Sequence, residues 1–292
     1  MSKDETWSVE TLHPDVRVSY RADRVVFHEE TAHQRLELIE NPTFGTLMLL
    51  DGVVQVTTAD EFIYHEMLAH VPILAHGQAR SVLIVGGGDC GLAEEVLKHA
   101  IVERLAQVEI DADVVAFART HFGAFNAGVF QDPRFDLRIG DGAAFVAETD
   151  ERFDVILVDS TDPDGPGAVL FTPEFYDGVR RCLAPGGVVV TQSGVPFLQR
   201  DGFVTALRAL SGSFAVTSAY VAAIPSYFGG HMAFGWGSQD RAGLEVDLAT
   251  LAERFGALDT RYYTPQVHKG AFALPRFIAQ ALSQAQEGLR TG

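Results

Sequence analysis

From Gly77 onward, short continuous apolar runs alternate with helix-length amphipathic stretches, and few folds accommodate that alternation. The runs are Ser81 to Val85, Arg104 to Glu109, Phe135 to Ile139, Asp154 to Val158, Val188 to Gln192 and Ala215 to Val221. A strand that is apolar on both sides has to be covered on both faces, which calls for helices above and below a mostly parallel sheet. An α/β domain is expected, with Met232 to Gly237 as a further strand returning against the one before it. Upstream the pattern differs. Val16 to Tyr20, Arg24 to Phe27, Leu36 to Ile39, Thr46 to Leu50 and Val53 to Thr57 tend to alternate, as antiparallel strands do. Asn41-Pro42 and Asp51-Gly52 supply turn chemistry between them, the second as a two-residue hairpin. Glu61 to Ala75 then reads as a helix. The expected division is residues 1–75, a small N-terminal antiparallel β-sheet domain with a connecting helix, and residues 76–292, the α/β domain.

The chain has 292 residues, 47% of them hydrophobic, enough for a sizeable core. Its net charge of −17 repels phosphate backbones and anionic bilayers, so no nucleic-acid or membrane partner is expected, and small cations suit it. Cys90 and Cys182 are the only cysteines, too few for a disulfide framework and in keeping with a reducing compartment. The start carries no basic segment followed by an apolar run, and no stretch approaches the roughly 18 to 20 apolar residues that span a bilayer. A cytoplasmic location is expected. The histidines, among them His13, His28, His70, His99 and His121, are scattered without metal-ligand spacing, so no metal is expected.

In open sheets of this kind ligands lie beyond the carboxyl ends of the strands, so the residues there carry the chemistry. Gly86-x-Gly88-x-x-Gly91 follows the first α/β strand, where glycines permit a tight turn and close approach of a ligand at a helix start. Glu109 ends the second strand, at the spacing where an acid accepts hydrogen bonds from a ribose hydroxyl pair. Together they point to an adenosine-bearing ligand. Asp141 after the third strand is a candidate acceptor for an adenine amino group, while Asp159 and Asp162 follow the fourth. Asp89, directly after the three glycines, would repel the pyrophosphate of a dinucleotide. A sulfonium compound of the S-adenosylmethionine type is therefore favoured over a nicotinamide cofactor. Alone, each acid reads equally well as a helix cap or a solvated loop residue; their order along successive strands makes the case.

The residues also match a more specific pattern. Leu50-Asp51-Gly52-Val53-Val54-Gln55, Asp60-Glu61-Phe62-Ile63-Tyr64-His65-Glu66-Met67, Gly86-Gly87-Gly88-Asp89, Gly140-Asp141-Gly142, Asp159-Ser160-Thr161-Asp162-Pro163 and Pro225-Ser226-Tyr227-Phe228-Gly229-Gly230 resemble the spermidine synthases, polyamine aminopropyltransferases, in their bacterial branch. The likeness runs through Arg261-Tyr262-Tyr263 and so covers nearly the whole chain. It implies a Rossmann-like class I methyltransferase fold behind an N-terminal β domain, usually dimeric or higher. It also implies transfer of an aminopropyl group from decarboxylated S-adenosylmethionine to putrescine, giving spermidine and methylthioadenosine. By motif position Asp159 is the proton acceptor, with Tyr64 orienting the amine. Gln34, Gln55, Gly86, Gly88, Asp89, Glu109, Asp141, Gly142 and Pro166 hold the donor. His65, Asp89, Ser160, Thr161 and Asp162 hold the amines, and Tyr227 lines the diamine channel. The family's glycine turn usually reads Gly-Gly or Gly-Ala where this chain has Cys90-Gly91.

Two other functions suit the same residues. A putrescine N-methyltransferase would use intact S-adenosylmethionine, whose tail bears a carboxylate that Asp89 disfavours. A non-catalytic polyamine-binding regulator would have no use for Tyr64, Asp159 and Asp162 together.

Overall fold

The computed structural model describes residues 6–30, 34–161 and 165–287. Its N-terminal part comprises a two-stranded hairpin, β1 (Thr6–His13) and β2 (Val16–Ala22), and a four-stranded antiparallel meander, β3 (Arg24–Glu30), β4 (Arg35–Asn41), β5 (Gly45–Leu50) and β6 (Val53–Thr57). The Asp51-Gly52 hairpin forms as its residues dictate, with φ of 51° and 81°, both in the left-handed region that a two-residue hairpin of matching twist needs. The Asn41 carboxamide oxygen accepts from the N–H groups of Thr43 and Phe44, turning the chain before β5.

Strand alternation gives the meander two apolar faces. Leu36, Leu38, Met48, Leu50 and Val56 pack on Val114, Phe117, Ala118 and Phe122, while Ile39, Leu47, Leu49 and Val54 pack under Tyr20 and Ala22 of β2. Burying each large side chain contributes roughly 1.5–3 kcal/mol, so the first face holds the meander firmly to the rest of the molecule. β1 was not expected from the sequence. Its residues, TWSVETLH, show no clean apolar period, and pairing with β2 is what makes them a strand.

Helix α1 (Glu61–His76) follows, with every residue from Ile63 to Ala75 buried. It ends at Gly77, which adopts φ 74° and donates to the Ile73 carbonyl. Although α1 closes the 1–75 segment, its buried residues join the core of the large sheet.

That sheet contains β7 (Ser81–Gly86), β8 (Arg104–Glu109), β9 (Phe135–Ile139), β10 (Phe153–Asp159), β11 (Leu183–Gln192), β12 (Val216–Ala223) and β13 (His231–Ser238), in the order β12-β13-β11-β10-β7-β8-β9. β7 to β11 are parallel, and β13 runs antiparallel between β11 and β12. The returning strand expected over Met232 to Gly237 is β13. Between the strands lie α2 (Gly91–Leu97), α3 (Ala112–His121), α4 (Gly123–Asn126), α5 (Gly142–Glu148), α6 (Pro173–Cys182) and α7 (Arg200–Ser213). The chain finishes with α8 (Ala242–Glu245), α9 (Leu248–Phe255), α10 (Pro265–Ala271) and α11 (Arg276–Glu287). Val82 and Ile84 of β7 face the core under α1 and α2, and Leu83 and Val85 face the one under α6, α7 and α11. Among the described residues no helix is long and apolar enough to cross a membrane.

Candidate active site

The strand order reverses between β7 and β10, and there Gly86 lies directly opposite Asp159. Such a reversal opens a crevice at the strand ends. The glycine turn is tied to β10 closely. Gly86 and Gly87 have φ of 87° and 69°, and the Gly87 N–H donates to the Asp159 carbonyl at 2.8 Å. A Cβ on Gly86 would lie 2.1 Å from that carbonyl oxygen. From β8 the buried Gln107 amide donates to the Gly86 and Gly87 carbonyls at 2.9 and 2.6 Å. Cys90 then takes a left-handed φ of 61°, which costs roughly 1–2 kcal/mol relative to glycine, and α2 begins.

Two neighbouring side chains of α1 reach into the crevice. The Tyr64 hydroxyl donates to Oδ1 of Asp159 at 2.7 Å, and its ring stands nearly perpendicular to that of Tyr227, 5.8 Å away. His65 has Nδ1 3.0 Å from Glu61 and Nε2 3.5 Å from Asp89, whose Oδ1 also accepts from the Gly91 N–H at 2.7 Å. Burial alone would lower the imidazole, but Asp89 and Glu61 outweigh it and hold His65 well above its usual value. His65 is therefore the cation among the acids.

Asp159 is pushed up to about 6, first by burial and then by the charge of Asp89, while His65 and the Tyr64 hydroxyl pull it back. Burial is thus the larger cause and the neighbouring acid Asp89 the second. Glu109 is pushed up to about 7, chiefly by burial, against the Asp111 N–H that its Oε1 accepts at 2.9 Å. Gln34 donates to Asp111 at 3.2 Å. Asp141 caps α5 by accepting from the N–H groups of Ala143 and Ala144, so the helix-cap reading holds for it alongside its place at the crevice.

These groups share one cavity of about 520 Å³. Gln34, Gln55, Tyr64, His65, Gly86, Gly88, Asp89, Glu109, Asp141, Gly142, Asp159, Ser160, Thr161 and Tyr227 all line it. The Ser160 hydroxyl is buried with no partner among the described residues. Asp162 and the side chain of Pro166 lie outside the described residues. Sequence reasoning missed Glu10 of β1, which is buried in the wall and accepts from the Val54 N–H at 3.1 Å. It also missed Gln192, which holds the Ser160 carbonyl at 3.1 Å. Gln192 carried a legible signal, a polar residue closing an apolar strand; Glu10 carried none while its strand went unread. Among the described residues no group of three or more His, Cys, Asp and Glu is placed to hold a metal ion.

Comparison with known proteins gives a consistent result. Residues 61–248 match the spermine/spermidine synthase domain, and residues 6–58 match the spermidine synthase tetramerisation domain. A polyamine aminopropyltransferase of Ruegeria sp. (strain TM1040) is 52% identical over 276 residues, covering 94% of this chain and 97% of the relative. One from Serratia proteamaculans (strain 568) is 52% identical over 285 residues, covering 97% and 99%. A crystal structure of spermidine synthase in complex with the transition-state analogue AdoDATO matches with a TM-score of 0.92 at 35% identity, over 97% of each chain. Spermidine synthase from Thermotoga maritima matches with a TM-score of 0.90 at 35% identity, over 97% of this chain and 96% of that one. With both parts of the chain matched and relatives aligned almost end to end, the protein belongs to the spermine/spermidine synthase family.

Proposed function

We propose that this chain is an aminopropyltransferase that moves the aminopropyl group of decarboxylated S-adenosylmethionine to putrescine, giving spermidine and methylthioadenosine. The observation that carries the reading is the Tyr64–Asp159 pair, set at the strand reversal beside Asp89 in the cavity that also holds Glu109 and Asp141. An amine with a pKa near that of lysine costs about 4–5 kcal/mol to deprotonate at neutral pH. Asp159 takes that proton as the nitrogen attacks the methylene beside the sulfonium; the C–N bond forms, the C–S bond breaks, and its electron pair stays on sulfur. Tyr64 orients the amine and the carboxylate. Asp89 holds the donor's ammonium, and the surrounding acids offset the repulsion between two cations placed in line. His65 balances the negative charge on the Asp89 side, which keeps Asp159 ionised near neutrality. Glu109 and Asp141 receive the ribose and adenine, with Gly86, Gly88, Gly142, Gln34 and Gln55 around them, and the role of Pro166 rests on the family likeness. Ser160, Thr161 and Tyr227 line the amine's path, and the role of Asp162 toward the amine rests on the family likeness.

Incubation with decarboxylated S-adenosylmethionine and putrescine, followed by mass analysis, tests the reading. Spermidine and methylthioadenosine are expected; a methylated diamine formed from intact S-adenosylmethionine would overturn it. The two-part organisation, residues 1–75 and 76–292, goes with the same reading, α1 being the connection. Exposed Trp7 and Val9 on β1 and Val25 on β3 support self-association through the N-terminal strands as a homodimer or homotetramer. Two buried free cysteines support a cytoplasmic location.

Two pH effects are expected. In the free enzyme the acid limb of kcat/KM for the diamine follows Asp159, near its value of about 6. Tyr64→Phe removes a hydrogen bond to the carboxylate, so the limb moves to higher pH; a limb that stays or moves down contradicts the pairing. The ribose hydroxyls bind the ionised form of Glu109, which in the empty site is pushed up to about 7. Nucleoside binding then releases a proton, and affinity falls as pH drops. Calorimetry should find methylthioadenosine binding roughly tenfold weaker at pH 6 than at pH 8, whereas a flat profile counts against Glu109 as the ribose acceptor.

A further inference from the structure

The carboxylate at the start of α1 does not cap α1. Asp60 occupies the N-cap position, where an aspartate side chain ordinarily accepts from an N–H of the first turn. Here only its main-chain carbonyl does so, from Ile63 at 3.0 Å. The side chain is buried and faces elsewhere: Oδ1 accepts from the Thr57 hydroxyl at 2.6 Å and the Ser226 hydroxyl at 3.2 Å, and Oδ2 from the Ser226 N–H at 2.7 Å. Forgoing a side-chain cap costs about 1 kcal/mol, which the bonds to Ser226 offset.

Ser226 sits in the segment joining β12 to β13, which ends in Gly229 and Gly230 at φ 117° and 110°. Two further bonds tie this segment to the N-terminal strands. The Tyr20 hydroxyl donates to the Ser226 carbonyl at 3.3 Å, and the Tyr227 hydroxyl donates to the Gln55 carbonyl at 2.6 Å. Tyr227 and Phe228 both line the cavity, and the Tyr227 ring rests on Tyr64. Asp60 holds this wall as a carboxylate with both oxygens engaged.

We propose that Asp60 is a positioning residue for amine selection: by fastening residues 224–230 to the start of α1 it fixes where Tyr227 and Phe228 stand, and so which length of diamine fits against Asp159. This rests on the aminopropyl-transfer reading above. A loosened wall leaves Glu109 at the end of β8 and Asp141 at the start of α5, the acids assigned to the nucleoside, as they were.

Asp60→Ala tests it, with Asp60→Ser as the companion, because a serine caps a helix well but is too short to hold Ser226. Both variants are expected to raise KM for putrescine at least tenfold and to lower the preference for putrescine over cadaverine at least threefold. Methylthioadenosine affinity should stay within twofold of the parent. Asp60→Asn should recover most of the loss, since its oxygen can hold the Ser226 N–H while the hydroxyls of Thr57 and Ser226 turn to accept from its amide. In a Tyr227→Phe background the effect of Asp60→Ser on KM should shrink, the mark of two residues acting through one wall. Unchanged KM and preference in Asp60→Ser, or equal weakening of putrescine and methylthioadenosine, overturns the proposal while leaving aminopropyl transfer intact. Absence of methylthioadenosine release by the parent protein with every diamine overturns both.

Discussion

Asp159→Asn is expected to lower kcat by about a thousandfold, within the 10²–10⁴ that a positioned general base contributes. The amide has the carboxylate's shape and still accepts the Tyr64 hydroxyl, and the main-chain bond from Gly87 to residue 159 does not depend on the side chain. What it cannot do is take a proton from an ammonium at neutral pH. Methylthioadenosine should bind as before, because Glu109 and Asp141, the acids assigned to the ribose and adenine, stand at the end of β8 and the start of α5 and take their hydrogen bonds from the main chain there. Thermal stability should not fall, since a buried charge that repels Asp89 has been removed. Turnover at a tenth of the parent rate or more, in a variant that binds methylthioadenosine normally, would sink the assignment of the base.

Gly86→Ala should be nearly as damaging for a different reason. Its Cβ, fixed in place by the backbone, would stand 2.1 Å from the main-chain carbonyl oxygen of Asp159, so no side-chain rotation relieves the clash. Left-handed φ adds strain of roughly 1–2 kcal/mol, and overpacking roughly 1–3 more. The turn and β10 must part, which moves Asp159 relative to Tyr64; a displacement of about 1 Å costs on the order of a hundredfold in rate. A loss of about 2–5 kcal/mol in denaturant unfolding together with that fall in kcat is expected. Gly202→Ala in α7 is the control. A Cβ there meets nothing within 4 Å, so it should gain roughly 0.5–1 kcal/mol from helix propensity and leave kcat unchanged. Normal activity in Gly86→Ala would show that the turn and the base are not mechanically joined.

The parts of this molecule that could be read from the chain are those set by neighbours in sequence. Val82 to Val85 is apolar at every position, so it had to be a doubly covered strand; Asp51-Gly52 had to turn because both residues accept positive φ. Glu109, Asp141 and Asp159 stood out because each ends such a strand. Gln34 and Gln55 were legible only through family likeness, since an isolated glutamine in a meander has no pattern. β1 failed to register because its strand character comes from β2, and Glu10 was lost with it. Asp60 directly precedes a helix, where an aspartate ordinarily caps, and nothing near it in sequence announces a bond to Ser226.

Periodicity, turn chemistry and the succession of acids along the strands thus determined an α/β domain behind a β-meander, with an anionic ligand site at the strand ends, because each depends on contacts within a few residues. Tertiary structure alone decided the value of Asp159, the charge of His65 and the direction in which Asp60 points. Burial and electrostatic proximity are sums over residues far apart in the chain, and they exist only once α1, β10 and the segment after β12 have been brought together.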